Sequence, residues 1–277
     1  MRTIALTIDG HEVNVPEGTT ILQACRARGI EIPTLCYLET LTPVNVCRVC
    51  VVEVEGSRAL VPACSRQVEA KMVVHTNSER VRHSRRLVLE LLGSSVDLSL
   101  ASRDVPRWMN EYGARPERFG PRSQTVAQPV KVDNDLYVRD YSRCILCYKC
   151  VEACGTDAQN TFAIAVAGRG FSARISTELD NPLPESACVY CGNCIGVCPT
   201  GALMFKSEHD MRQAGTWDEA KQTVTDTICP YCGVGCTLEL HVQDNAIVRV
   251  TSPLDHDVTR GHLCIKGRFG WQFVQNR

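Results

Sequence analysis

Apolar and polar residues alternate from the beginning of the chain. Ile4, Leu6 and Ile8 share one face of an extended segment, Asp9-Gly10 is a type I′ turn signal, and Val13 and Val15 alternate on the return, so a hairpin is predicted. Thr20-Ile21-Leu22-Gln23 has the spacing of a capping box, and Gly29 sits where a helix running to about Arg28 would end. A second hairpin is expected from residues 49–54 and 58–61, turning at Glu55-Gly56-Ser57, and an amphipathic helix from Glu79 to about Leu92. Residues 1–92 therefore read as one small α+β module. The basic run Glu79-Arg80-Val81-Arg82-His83-Ser84-Arg85-Arg86 reads as a solvated helix face, with docking of a partner as the alternative.

Beyond residue 92 the periodicity weakens. Residues 93–135 are rich in Gly and Pro and carry no cysteine, which predicts a connector with one short helix around 108–112. Within 136–206 the run that begins at Cys144 recurs from Cys188, 44 positions later, an internal repeat. Residues 207–224 are polar and read as a linker. Residues 225–277 hold two short alternating strands, 237–242 and 246–251.

Charge excludes several partners. Lys and Arg number 30 against 31 Asp and Glu, a formal net charge of -1, so no global basic field exists to hold a nucleic acid or an anionic membrane. The longest apolar runs, 162–167 and 87–92, fall far short of the roughly 18 residues needed to span a bilayer. No export signal is legible in residues 1–10, so a soluble, cytoplasmic protein is expected. In a reducing compartment the 17 cysteines point to metal ligands or redox chemistry rather than disulfides.

Cys144, Cys147, Cys150 and Cys154 follow C-x2-C-x2-C-x3-C, and Cys188, Cys191, Cys194 and Cys198 repeat the pattern, with Pro199 completing the bacterial two-cluster ferredoxin signature. Gly155 stands where the first run would carry Pro. In that signature three thiolates on a tight loop hold one [4Fe-4S] cluster and the fourth reaches the other cluster. The expected sets are therefore Cys144, Cys147, Cys150 with Cys198, and Cys188, Cys191, Cys194 with Cys154. Zinc sites are the alternative, although these are usually built from paired two-cysteine knuckles. Cys36, Cys47, Cys50 and Cys64 share the logic of a plant-type [2Fe-2S] site, one loop supplying most ligands, but with a longer first gap; zinc remains open for this set as well. Cys229, Cys232, Cys236 and Cys264 follow C-x2-C-x3-C-x27-C. Four sets of four leave only Cys25, which falls on the apolar face of the first helix and reads as a core thiol.

Several stretches carry a resemblance to known families. Pro33-Thr34-Leu35-Cys36, Cys47-Arg48-Val49-Cys50 and Pro62-Ala63-Cys64 resemble the N-terminal [2Fe-2S] β-grasp domain of the large complex I iron-sulfur subunit, of the diaphorase part of soluble hydrogenases and of NAD-dependent formate dehydrogenase α subunits. Tyr231-Cys232-Gly233-Val234-Gly235-Cys236 and Cys264-Ile265-Lys266-Gly267 resemble the [4Fe-4S] motif of molybdenum or tungsten bis-pterin oxidoreductases. That resemblance implies a cluster beside the pterin with Lys266 between them as an electron relay; a solvated surface Lys is the alternative. Helped by Asn160-Thr161-Phe162-Ala163-Ile164 and Gly168-Arg169-Gly170-Phe171, the whole order resembles the N-terminal part of a cytoplasmic NAD-dependent formate dehydrogenase α subunit.

The family pattern breaks in two places. Its cluster motif of one His and three cysteines has no counterpart, since only Ser94, Ser95, Ser99 and Ser102 stand in that region, and His83 then reads as a surface helix residue. The chain also stops at Arg277, before the family's pterin-binding catalytic domain, so substrate chemistry is expected elsewhere. No G-x-G-x-x-G loop, nucleotide fingerprint or supported nucleophile triad is present. The expectation is an electron wire of one [2Fe-2S] and three [4Fe-4S] clusters. Its partners would be a pterin-bearing catalytic subunit or domain and a flavin-bearing, NAD-reducing subunit. A hydrogenase diaphorase or complex I-like subunit is the alternative wire, and a zinc-stapled scaffold or redox sensor the non-conducting one.

Overall fold

The first hairpin forms as its alternation predicts. In the computed structural model, which describes residues 2–275, β1 (Thr3–Ile8) and β2 (His11–Pro16) pair antiparallel with Ile8 opposite His11, and Asp9 and Gly10 take φ values of 48° and 82°. The helix α1 (Ile21–Ala27) starts on a complete capping box: Gln23 N–H donates to Thr20 Oγ1, and Thr20 N–H donates to Gln23 Oε1. The second hairpin is smaller than expected, β3 (Val51–Val54) against β4 (Val61–Pro62). A strand that the sequence did not reveal, β5 (Val73–His75), enters between the hairpins, parallel to β1 and antiparallel to β3. The mixed sheet runs β2-β1-β5-β3-β4, and Leu6, Ile8, Val13, Val15, Ile21, Leu22, Val52 and Val74 meet in its core. Each such aliphatic side chain contributes about 1.5–3 kcal/mol by leaving water.

The chain divides into two units, Met1–Tyr37 with Pro43–Val126, and Leu38–Thr42 with Ala127–Arg277; Met1, Asn276 and Arg277 lie outside the described residues. The first unit therefore runs past the expected boundary at residue 92. Helix α2 (Glu79–Ser95) is capped by Ser78 Oγ, which accepts from Val81 N–H and donates to Glu53. The expected connector folds back on it: α3 (Asp104–Tyr112) packs against α2, and buried Glu90 accepts from Arg115 N–H and pairs with Arg118. The polar composition of 93–126 misled because only a few residues anchor it, buried Val105, Trp108 and Tyr112 together with the ion pair of buried Glu90. Arg85 corrects the solvated-face reading of the basic run, being 2% exposed and donating to Val51 O and to the Tyr112 hydroxyl, both at 2.9 Å. His83 is exposed, as expected.

The second unit opens with β6 (Tyr137–Arg139), then α4 (Lys149–Cys154), the hairpin of β7 (Ala165–Ala167) and β8 (Arg174–Ser176), α5 (Asn193–Gly196), and β9 (Leu203–Phe205), which pairs antiparallel with β6. Helices α4 and α5 each fall within one cysteine run, so the sequence repeat is a structural repeat. Thr42, distant in sequence, joins this unit through two hydrogen bonds to Asp157.

The expected linker 207–224 is instead structured. It holds most of α6 (Lys206–Gln213) and the start of β10 (Thr223–Ile228), which forms a three-stranded sheet with β11 (Thr237–Gln243) and β12 (Ala246–Thr251). Glu208 on α6 is buried and accepts from Arg212 and Arg249, and both guanidiniums flank the Trp217 ring. Such a folded polar cluster has no hydropathy signature. The chain then enters α7 (Ile265–Phe269).

Candidate iron-sulfur centres

Cys36, Cys47, Cys50 and Cys64 come together in the first unit. Cys36 and Cys47 are hydrogen-bonded to one another, as are Cys50 and Cys64, and Cys64 feels the charge of the other three. Amides of Asn45, Val46 and Cys47 point at the Cys36 sulfur, and those of Ala63 and Cys64 at Cys50. These donors favour thiolates, led by the neighbouring thiol, and hold Cys36 down to about 6 and Cys50 to about 7, whereas Cys47 and Cys64 as donors are pushed up. Asn45 and Arg48 adopt left-handed φ values of 63° and 58°, a conformation costly for non-glycine residues that wraps the loop over a sulfur.

The two ferredoxin runs use one local device twice. Leu146 and Tyr148 in the first, and Tyr190 and Gly192 in the second, lie in the left-handed region. The turn aims Leu146 N–H at Cys144 Sγ and Tyr190 N–H at Cys188 Sγ, both at 3.4 Å, while the amides of Lys149 and Asn193 serve Cys147 and Cys191.

Two cavities result. One, of about 330 Å³ empty volume, is lined by Cys144, Cys147, Cys150 and Cys198; the other, of about 420 Å³, by Cys154, Cys188, Cys191 and Cys194. Electrostatic neighbours are consistent with this, since Cys150 feels Cys147 and Cys198 most and Cys194 feels Cys191, Cys188 and Cys154 most, although each also feels a sulfur of the other cavity. Each cavity thus draws its fourth thiol from the other run. Tyr141 and Leu203 line both cavities.

Among the described residues no three His, Cys, Asp or Glu side chains converge as a lone ion would require. The sulfurs instead surround a space, which suits a multi-atom cluster. Burial pushes Cys144 up to about 11 and Cys147 to about 12, and Cys150 and Cys194 well above their usual range, so iron binding here must release protons.

The fourth set is more open. Cys229 is buried and Cys236 half-buried, whereas Cys232 and Cys264 are exposed; Cys236 feels the charge of the other three. Gly267 packs against Cys229, a Cβ there meeting its sulfur at 3.7 Å. Lys266 is exposed on α7, two residues past Cys264. Exposed Ile228, Tyr231, Val234 and Ile265 belong to the same stretches as these thiols. Cys25 lies in the core of the first unit, its thiol pushed up to about 12 chiefly by burial. Sequence reasoning missed the buried residues Tyr137 and Arg139 that line the second cavity and Arg268 beside Cys191, because nothing local marks a polar residue that packs near a thiol far away in the chain.

Three segments match family models. Residues 1–79 match a 2Fe-2S iron-sulfur cluster binding domain, residues 135–204 the ferredoxin-like domain of NADH-quinone oxidoreductase subunit 3, and residues 222–276 the molybdopterin oxidoreductase Fe4S4 domain. The chain is 36% identical over 286 residues to the NADPH-Fe(3+) oxidoreductase subunit alpha of Geobacter sulfurreducens, covering 99% of this chain and 32% of that protein. The chain thus carries three iron-sulfur domains and is related to oxidoreductase subunits. The chain is also 26% identical over 320 residues to a putative formate dehydrogenase of Staphylococcus haemolyticus, covering 99% of the chain and 31% of the relative. It is similar as well to a solved NAD+-reducing [NiFe]-hydrogenase, with a TM-score of 0.65 and 27% identity over 73% of this chain and 87% of that one. The chain spans about a third of the length of the curated relatives named here. No helix among the described residues is long and apolar enough to cross a membrane.

Proposed function

We propose that this chain carries single electrons, in the cytoplasm, between a molybdenum or tungsten bis-pterin site on a catalytic subunit or domain that oxidises formate and a flavin-bearing subunit that reduces NAD. The observation that carries the reading is the pair of cavities, each ringed by four thiols with the fourth exchanged between runs. In this reading Cys36, Cys47, Cys50 and Cys64 hold a [2Fe-2S] cluster. Cys144, Cys147, Cys150 and Cys198; Cys154, Cys188, Cys191 and Cys194; and Cys229, Cys232, Cys236 and Cys264 hold three [4Fe-4S] clusters. When bound, such clusters supply one-electron carriers whose potentials respond to hydrogen bonds, burial and net charge.

The chain's own residues hold the sulfurs, exclude water from the two ferredoxin cavities and aim backbone amides at the thiolates. The fourth set differs in being open to the outside. Exposed Cys232, Cys264 and Lys266, with exposed apolar Ile228, Val234 and Ile265 in the same stretches, suit a face covered by a pterin-bearing partner, and Lys266 is the residue proposed to lie between the two groups. The match of residues 222–276 to a molybdopterin oxidoreductase domain and the likeness to a putative formate dehydrogenase support this choice. The likeness to an NAD+-reducing hydrogenase favours a second reading, a diaphorase-type wire fed by hydrogen.

The test is an anaerobic purification of the native complex with iron, sulfide and molybdenum or tungsten analysis and EPR after adding formate, hydrogen or NADH. Reduction of the iron-sulfur signals by formate, with a pterin-bearing chain retained, is the expected result. Reduction by hydrogen but not formate would select the second reading, and a colourless, zinc-loaded chain would reject both.

A further inference from the structure

Arg268, on α7, is a wholly buried guanidinium, 0% exposed, whose hydrogen-bond acceptors are all neutral. It donates to Cys191 O at 3.4 Å, Asn193 Oδ1 at 3.1 Å, Gly261 O at 3.2 Å and Val250 O at 3.4 Å. The negative groups that face it are first the Cys191 and Cys194 sulfurs and then Glu239. A buried cation without an anionic partner is strongly unfavourable, so the sulfurs on the cavity wall, thiolates once they hold a cluster, are its natural counterions.

The seat for this side chain is built around one cavity only. A Cβ on Gly192 would meet the Arg268 stem at 3.0 Å, and one on Gly196 would lie 3.5 Å from its guanidinium nitrogens. At the corresponding places of the first run, 44 residues earlier, stand Tyr148 and Glu152. The two cavities also differ in side-chain donors. The Tyr137 hydroxyl, on a residue 1% exposed, lies 3.0 Å from Cys188 Sγ, and Ala163 N–H and the Thr161 hydroxyl lie 3.2 and 3.4 Å from Cys154 Sγ. On the other cavity, among the described residues, the Thr200 hydroxyl at 3.9 Å is the hydrogen-bonding partner of Cys198 Sγ. Buried Lys149 faces Cys147 there, so the contrast rests on the guanidinium and the donors together.

We propose that Arg268 is the fixed countercharge of the centre held by Cys154, Cys188, Cys191 and Cys194. With the Tyr137 hydroxyl, it holds that centre at a more positive potential than the centre of Cys144, Cys147, Cys150 and Cys198. The inference rests on the iron-sulfur reading above. Adding one electron makes the centre more negative; a fixed cation and donors to sulfur stabilise that form more than the oxidised one. An electron shared by the pair then resides on the Arg268 side. Because Cys264 is the N-cap residue of α7, the same short helix ties this countercharge to the fourth set of thiols.

The test is an EPR-monitored redox titration of the anaerobic native complex carrying Arg268→Gln, Arg268→Lys or Tyr137→Phe, each centre being assigned by its loss in Cys154→Ser or Cys198→Ser. Arg268→Gln should lower the potential of the Cys154-Cys188-Cys191-Cys194 centre alone by about a tenfold change in its reduced-to-oxidised ratio, ~59 mV for one electron. Tyr137→Phe should lower it by about threefold, and Arg268→Lys should restore most of the loss. Unchanged potentials in Arg268→Gln and Tyr137→Phe with the centres loaded, or a shift confined to the other centre, would overturn the proposal. If Arg268→Gln does not load that centre, Tyr137→Phe and Arg268→Lys decide the question by the same readout. Absence of iron from the unsubstituted complex would instead count against the iron-sulfur reading itself.

Discussion

Arg85 offers a direct test of how the first unit is held together. Its guanidinium bridges α2 to Val51 O, in the strand that leaves candidate ligand Cys50, and to the Tyr112 hydroxyl at the end of α3. The substitution Arg85→Met keeps an aliphatic stem of similar reach but removes both bonds and the cation facing the Tyr112 ring. Hydrogen bonds from a charged donor are worth about 1.5–3 kcal/mol each, and relief of the guanidinium's own burial cost offsets part of the loss, leaving a net destabilisation of about 3 kcal/mol. For a unit of about 120 residues the unfolding entropy is roughly 0.25 kcal/mol/K, so the midpoint should fall by about 12 °C. Scanning calorimetry of the anaerobic protein reads the shift, and hydrogen exchange of the α3 amides reads the local loosening. A fall below about 4 °C with α3 still protected would refute the claim that this buried cation anchors residues 104–112.

Two further outcomes follow from the sites. Serine at Cys198 should remove or alter the EPR signal of the centre that uses Cys144, Cys147 and Cys150, and serine at Cys154 that of the other; the opposite assignment would disprove the exchange of fourth thiols between the runs. His241, depressed to about 4 by burial and then by Arg249, is neutral in the folded chain, with Glu219 acting weakly against the shift. The unfolded chain, with an ordinary His near 6.5, binds the extra proton first, so stability is full above about pH 6.5 and declines as the pH falls toward 4. Denaturant unfolding at pH 7 and pH 5 should show that decline, and His241→Gln should flatten it.

The cysteine spacing suggests the four-thiol sets, since a loop that must present several sulfurs to one group leaves few spacings open, and two of those sets line cavities. The Asp9-Gly10 turn and the Thr20-Gln23 capping box were equally legible, being local contests among backbone conformations. The strand β5 was not, because three residues carry no periodicity and only pairing with β1 and β3 makes them a strand. The supposed connector and linker failed for a related reason: Glu90 with Arg118, and Glu208 with Arg249, pair charges between residues well apart in sequence. Sequence alone thus determined which thiols lie on one loop, through short-range geometry, while the fourth thiol of each ferredoxin cavity comes from the other run. Tertiary packing decided which buried cation and hydroxyl stand beside them, because Arg268 reaches Cys191 and Asn193 across more than seventy residues, a contact that no local pattern encodes.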